Sequence, residues 1–184
     1  MGRDFTAADD TIYEIYTDDS GAFSVGMICA ENDSDILFAG VDEEGKLSAY
    51  YAIPRKVILQ MYTDTEYLLR IRQYMHYAQI HPYSEWFALP EIDIDPQKPI
   101  MSQLLRLAMA QSEVVTLSRV GDEEIVCGYV REIAGGRVLL DTIDPVSARD
   151  AEQVKIRIRE LEYVEYKSLA NTLLMFANRE LKQA

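Results

Sequence analysis

Phe23-Ser24-Val25-Gly26-Met27-Ile28-Cys29-Ala30 alternates Phe23, Val25, Met27 and Cys29 with their neighbours, which predicts a half-buried β-strand. A hundred residues later Ile125-Val126-Cys127-Gly128-Tyr129-Val130 repeats the plan, again with a glycine early in an apolar run. Glycine inside a strand permits a sharp bend or the close approach of a neighbouring backbone. Gly26 and Gly128 are therefore the two fold-critical positions, where equivalent strands bend. Working outward, a shift of 102 pairs Gly26 with Gly128, Leu37 with Leu139 and Asp42 with Asp144. One extra loop residue then pairs Ile53 with Ile156, Ile58 with Leu161 and Met61 with Val164. An ancient duplication accounts for this pattern, and so would two generic meanders matched by chance.

In the first half, strands are expected near 11–17, over the glycine segment, from Ile36, over 47–53 and over 57–62. A helix capped by Thr63 or Asp64 follows, with Tyr67, Leu68, Ile71, Met75 and Ala78 on one face. In the second half, a helix over 99–110 precedes strands near 113–120, 124–133, 137–143 and 152–165. A last helix near 167–182 presents Leu169, Leu173, Phe176 and Leu181. Between the halves, Pro82, Pro90, Pro96 and Pro99 mark a connector, with Trp86 and Phe87 expected to pin it to a domain surface. The expected organisation is a unit over 1–80, a connector over 81–96 and a unit over 97–184. Short strands with turns at even spacing suggest a closed sheet, because closure removes exposed edges. The expected fold is mainly β with helices: two small five-stranded antiparallel barrels, each followed by a helix.

The stretch Leu104-Leu105-Arg106-Leu107, Val114-Val115-Thr116-Leu117, Ile125 to Val130 and Ile156 to Val164 resembles the Sm-like family of SH3-like small barrels. Gly26 and Ile53-Pro54 carry a fainter likeness in the first half. The resemblance implies a fold, and RNA contacts through an Asp and an Asn after the glycine strand and an Arg-Gly turn. Here that loop reads Glu132-Ile133-Ala134-Gly135-Gly136-Arg137, without Asp or Asn, and Ile158 follows Arg157 where the family has glycine.

Residues 1–44 hold twelve acids and one base, which accounts for most of the net charge of −13. Such a region repels phosphate and anionic lipid, so RNA is disfavoured as a partner and a membrane surface more so. The only basic stripe is Lys155, Arg157 and Arg159, which alternate with Ile156 and Ile158. It is the candidate patch for nucleic acid or an acidic partner, or else an exposed strand face with cross-strand ion pairs. His76 and His81 miss the spacing of a helical zinc site, and Glu91, Asp93 and Asp95 lack a calcium-loop pattern. Cys29 and Cys127 lie in apolar runs, as buried reduced thiols do.

No nucleophile, phosphate-loop or dinucleotide motif occurs. The expectation is no catalytic residue, no cofactor, no metal and no membrane span, with cytoplasmic location as the default. Twelve tyrosines suit surfaces that are half buried and half wet. The function expected is that of a non-catalytic interaction or scaffold protein, acting through a protein partner or self-association. The alternative is an Sm-like RNA-binding protein using the basic strand of the second unit.

Overall fold

A computed structural model describes residues 11–80, 89–122 and 124–183. Strands β1 (Ile12–Tyr16), β2 (Ser24–Glu31), β3 (Asp35–Val41), β4 (Leu47–Pro54) and β5 (Gln60–Tyr62) precede helix α1 (Glu66–Ile80). Helix α2 (Ile100–Gln111) opens the second half, which continues through β6 (Val114–Arg119), β7 (Val126–Ala134), β8 (Arg137–Ile143), β9 (Asp150–Arg157), β10 (Leu161–Tyr166) and α3 (Leu169–Gln183). A single 3-10 turn joins β4 to β5 (Arg55–Val57) and β9 to β10 (Ile158–Glu160).

The ten strands form one open antiparallel sheet in the order β5-β1-β2-β3-β4-β10-β6-β7-β8-β9. This corrects the expectation of two closed five-stranded barrels. The outer edge of β4 does not return to its own half. It pairs instead with β10, Ala52 opposite Val164, Tyr51 opposite Glu165 and Tyr50 opposite Tyr166. Two exposed edges satisfy their backbone groups on each other, and β5 and β9 are left as the edges of the combined sheet. The second half still curls. Arg157 and Leu161 are four residues apart, at most about 14 Å of extended chain. Four flat inter-strand spacings would separate their strands by about 19 Å.

Within this sheet the halves share one register. Gly26 faces Gly40 and Gly128 faces Thr142, and the bulge between Ile28 and Ala30 recurs between Val130 and Glu132. Tyr13 opposite Gly26 is matched by Val115 opposite Gly128. Ile15 opposite Met61 is matched by Leu117 opposite Val164. Both glycines stand where the neighbouring backbone comes close. A Cβ on Gly26 would lie 2.5 Å from the Ala39 carbonyl oxygen and closer still to the Phe38 ring. One on Gly128 would press on the Asp141 carbonyl oxygen and lie 2.9 Å from the Thr142 Cα.

The core is continuous across the join. Leu37, Ala39, Tyr50 and Ala52 from the first half cluster with Val115, Leu117, Val130, Leu140, Leu161 and Val164 from the second. Helix α2 seals this cluster with Ile100, Met101, Leu104, Leu105 and Ala108. The connector joins in as well. Leu89, Ile92 and Ile94 pack against the same cluster, while Trp86 and Phe87 lie outside the described residues. Helix α1 covers a smaller cluster of Ile12, Val25, Met27 and Val41 with Leu68 and Ile71. Its cap is Thr65, whose Oγ1 accepts from the Leu68 amide at 3.1 Å, and not Thr63 or Asp64.

Helix α3 reverses the expected burial. It turns Asn171 and Asn178 inward and leaves Leu169, Leu173 and Phe176 half or more exposed. Thr116 Oγ1 donates to Asn171 Oδ1 at 2.7 Å, and Asn178 Nδ2 donates to the Ala148 carbonyl and Asp150 Oδ1, both at 2.9 Å. The stretch read as one strand over 152–165 is broken at Ile158–Glu160, which lets β9 and β10 run at opposite sides of the half.

Candidate anion-binding patch

The basic stripe lies on and just beyond the open edge strand. β9 buries Ile156 against the core and turns Lys155 and Arg157 to solvent, as strand alternation requires. The hairpin from β7 to β8 turns through Gly135 and Gly136, at φ of 56° and 70°. Positive φ at both central residues is what a two-residue hairpin favours. That turn sets the register in which Arg137 stands opposite Arg157. The Ile158 amide then donates to the Gly136 carbonyl at 2.9 Å, which ties the 3-10 turn to the hairpin tip.

Arg137, Arg157 and Arg159 therefore line one shallow cavity of about 350 Å³, together with Ser102 of α2, Gly135, Gly136 and Ile158. Lys155 stands further along the edge, opposite Leu139, and does not line it. The structure so brings together two of the three residues singled out from the sequence and adds Arg137. Only the register shows that Arg137 belongs. Gly135-Gly136 was the available signal, since a tight turn there places Arg137 at the start of the strand beside β9.

Arg157 does not stand alone. Its Nη1 donates to Glu160 Oε1 at 2.9 Å, both groups roughly half exposed. That bond holds the Glu160 carboxyl below its usual range, with the charges of Arg157, Arg159 and Arg119 acting in the same sense. Arg159 makes no ion pair among the described residues, although its carbonyl accepts from Lys56 Nζ at 2.5 Å. The cavity thus offers positive charge that is partly compensated. Ser102 is the only hydroxyl among its lining residues, and no histidine or aromatic ring lines it. Such a lining attracts an anion. It supplies neither a base for proton transfer nor a platform for stacking nucleobases.

A larger cavity of about 580 Å³ lies against β7, β8 and β9, with Met109, Arg179 and Lys182 from the helices. Two of its three cations are paired with carboxylates, and the third, Arg179, bonds a carbonyl. Arg131 bonds Asp141, Lys182 Nζ meets Asp150 at 2.8 Å and Arg179 donates to the Ser112 carbonyl at 3.1 Å. Asp141 is held below the usual carboxylate range by hydrogen bonds from Arg131 and then Gln153, and Asp150 by those from Lys182 and then Asn178.

The remaining candidates fall elsewhere. His76 is exposed on α1, and His81 lies outside the described residues. Asp95 pairs with Lys98 at 2.9 Å, while Glu91 and Asp93 face solvent. Among the described residues no group of three potential metal ligands forms, and no helix is long and apolar enough to cross a membrane. Cys127 is buried and hydrogen-bonded to Thr116 at 3.3 Å, and burial pushes its thiol up. Cys29 is half-buried. No family model matches the chain, and neither a curated protein nor a solved structure shows significant similarity to it.

Proposed function

We propose that this chain is a non-catalytic interaction protein that binds another polypeptide by adding a strand to the open edge of its sheet. The observation that carries the reading is β9, an eight-residue strand paired on one side only. Its outer N–H and C=O groups form a ready template for a further strand. Lys155 and Arg157 on this strand disfavour indiscriminate pairing and select a partner of acidic or mixed charge. The sequence resemblance of the second half to the Sm-like family supports a binding module in preference to an enzyme.

The test is capture from native extract by the full chain and by Lys155→Pro, which removes an edge donor: the Ile158 amide turns inward to Gly136, and strand alternation turns that of Lys155 outward. Circular dichroism checks that the variant is folded. A partner held by the wild type and lost by the folded variant supports edge binding. Equal capture by both contradicts it.

A second reading, RNA binding, is favoured by the convergence of Arg137, Arg157 and Arg159. The Glu160 pairing and the missing aromatic platform weaken it. Filter retention of pooled RNA at low salt, abolished by Arg159→Ala, would establish it. Phosphate contacts are strongest at low salt, so no retention there removes it.

A further inference from the structure

We infer that the strand taken up by β9 is β5 of a second copy of this chain, so that copies join head to tail. The inference rests on the edge-binding reading and names its partner. Its basis is the repeated register. β4 corresponds to β9, β5 to β10, and the turn Arg55–Val57 to Ile158–Glu160, each 103 residues further on. Inside the molecule the fourth strand of the first half pairs with the fifth strand of the second, as β4 with β10. The two edges left over are the fifth strand of the first half and the fourth strand of the second. They are the same two surfaces, on the opposite ends of the sheet.

Carrying the internal junction across fixes the contact residue by residue. Ala52 opposite Val164 becomes Lys155 opposite the second copy's Met61. Tyr51 opposite Glu165 becomes Val154 opposite the second copy's Tyr62. Lys56 Nζ donating to the Arg159 carbonyl becomes Arg159 donating to the second copy's Lys56 carbonyl. Arg159 is a cation at the position equivalent to Lys56 and has no ion pair of its own among the described residues. The internal junction needs three residue pairs, which β5 extended by Thr63 supplies. Helix α3 follows β10 and leaves its edge free for β4, so α1, placed alike after β5, leaves that edge free too.

Charge favours the same arrangement. Lys155, Arg157 and Arg159 approach a first half in which acids greatly outnumber bases, with Asp64 and Glu66 just beyond β5. A junction between unlike edges is heterologous, so it propagates to a ring or an open array instead of stopping at a two-fold dimer.

The experiment mixes two full-length single variants, Lys155→Cys and Met61→Cys, under mild oxidation. Tryptic mass spectrometry identifies the bridge against the native Cys29 and Cys127. Directly opposed strand residues lie within disulfide reach. A dominant 155–61 bridge is expected, and little or none when Met61→Cys is replaced by Tyr62→Cys, which faces the other side of the sheet. Sedimentation of the wild type from micromolar to hundreds of micromolar runs alongside, with Arg159→Ala expected to weaken association about tenfold and Arg159→Lys to restore most of it. Association with bridges at other positions overturns the register. A strict monomer overturns the second copy as partner. If Lys155→Pro still releases a captured protein, the edge-binding reading survives that failure, and if it does not, both fall.

Discussion

The two halves share a backbone plan but fill it differently, and the difference separates what strand pairing demands from what packing decides. Register, bulge and glycine recur at equivalent positions. The cores do not. The first half divides its apolar side chains between two small clusters, one closed by α1. The second gathers one large cluster under α2, which also reaches across to Leu37, Ala39, Tyr50 and Ala52. The second half therefore holds the join together, while the first contributes an edge and much of the negative charge.

The largest expected effect comes from breaking the shared plan. Gly128→Val should destabilise by more than about 3 kcal/mol, because its new side chain meets only the β8 backbone. Gly26→Val should also destabilise, and Gly26→Ala less than Gly128→Ala, since the Phe38 ring beside Gly26 has some freedom to shift. Urea unfolding of the four variants checks the order. Next, Leu104→Ala and Leu68→Ala remove side chains that are equally buried, each at about 2–5 kcal/mol. Hydrogen exchange should distinguish them. Loss of Leu104 loosens both halves, whereas loss of Leu68 loosens β1, β2 and α1.

A smaller effect follows pH. Burial first, then the Glu165 charge, pushes the Tyr51 phenol up, and burial followed by the bond to Glu113 does the same for Tyr166. A raised folded-state value means that their contribution is whole below the ordinary phenol pKa of about 10 and is lost as pH rises through and above it. Thermal melts should fall with alkaline pH, and Tyr166→Phe should flatten that fall. The smallest effect belongs to Arg157→Ala. Its ion pair with Glu160 is exposed, so stability should change by only about 0–1 kcal/mol.

Strand periodicity made most elements legible, including the glycine pair and α2. Three features were hidden for physical reasons. Alternation along β2 ends at the bulge, so Cys29 does not share the burial of Val25 and Met27, and Phe23 stands exposed just before the strand begins. The spacing of Leu169, Leu173 and Phe176 marks an apolar face, but hydropathy cannot say that α2 already occupies the core and that α3 docks through Asn171 and Asn178. Closure was misjudged because pattern records how each strand meets its neighbours in sequence, whereas the β4–β10 pairing joins residues more than a hundred positions apart. In the patch, Arg157 and Arg159 were readable as a stripe, but Arg137 joins them only through the cross-strand register.

The account stands most directly on the strand join, and amide hydrogen exchange of the dilute chain tests it. If the sheet runs unbroken, the β4 and β10 amides that face each other exchange slowly and together, while the outward amides of β9 exchange fast. Fast exchange along β4 and β10, matching that of β9, would show two separate bodies and contradict the continuous sheet.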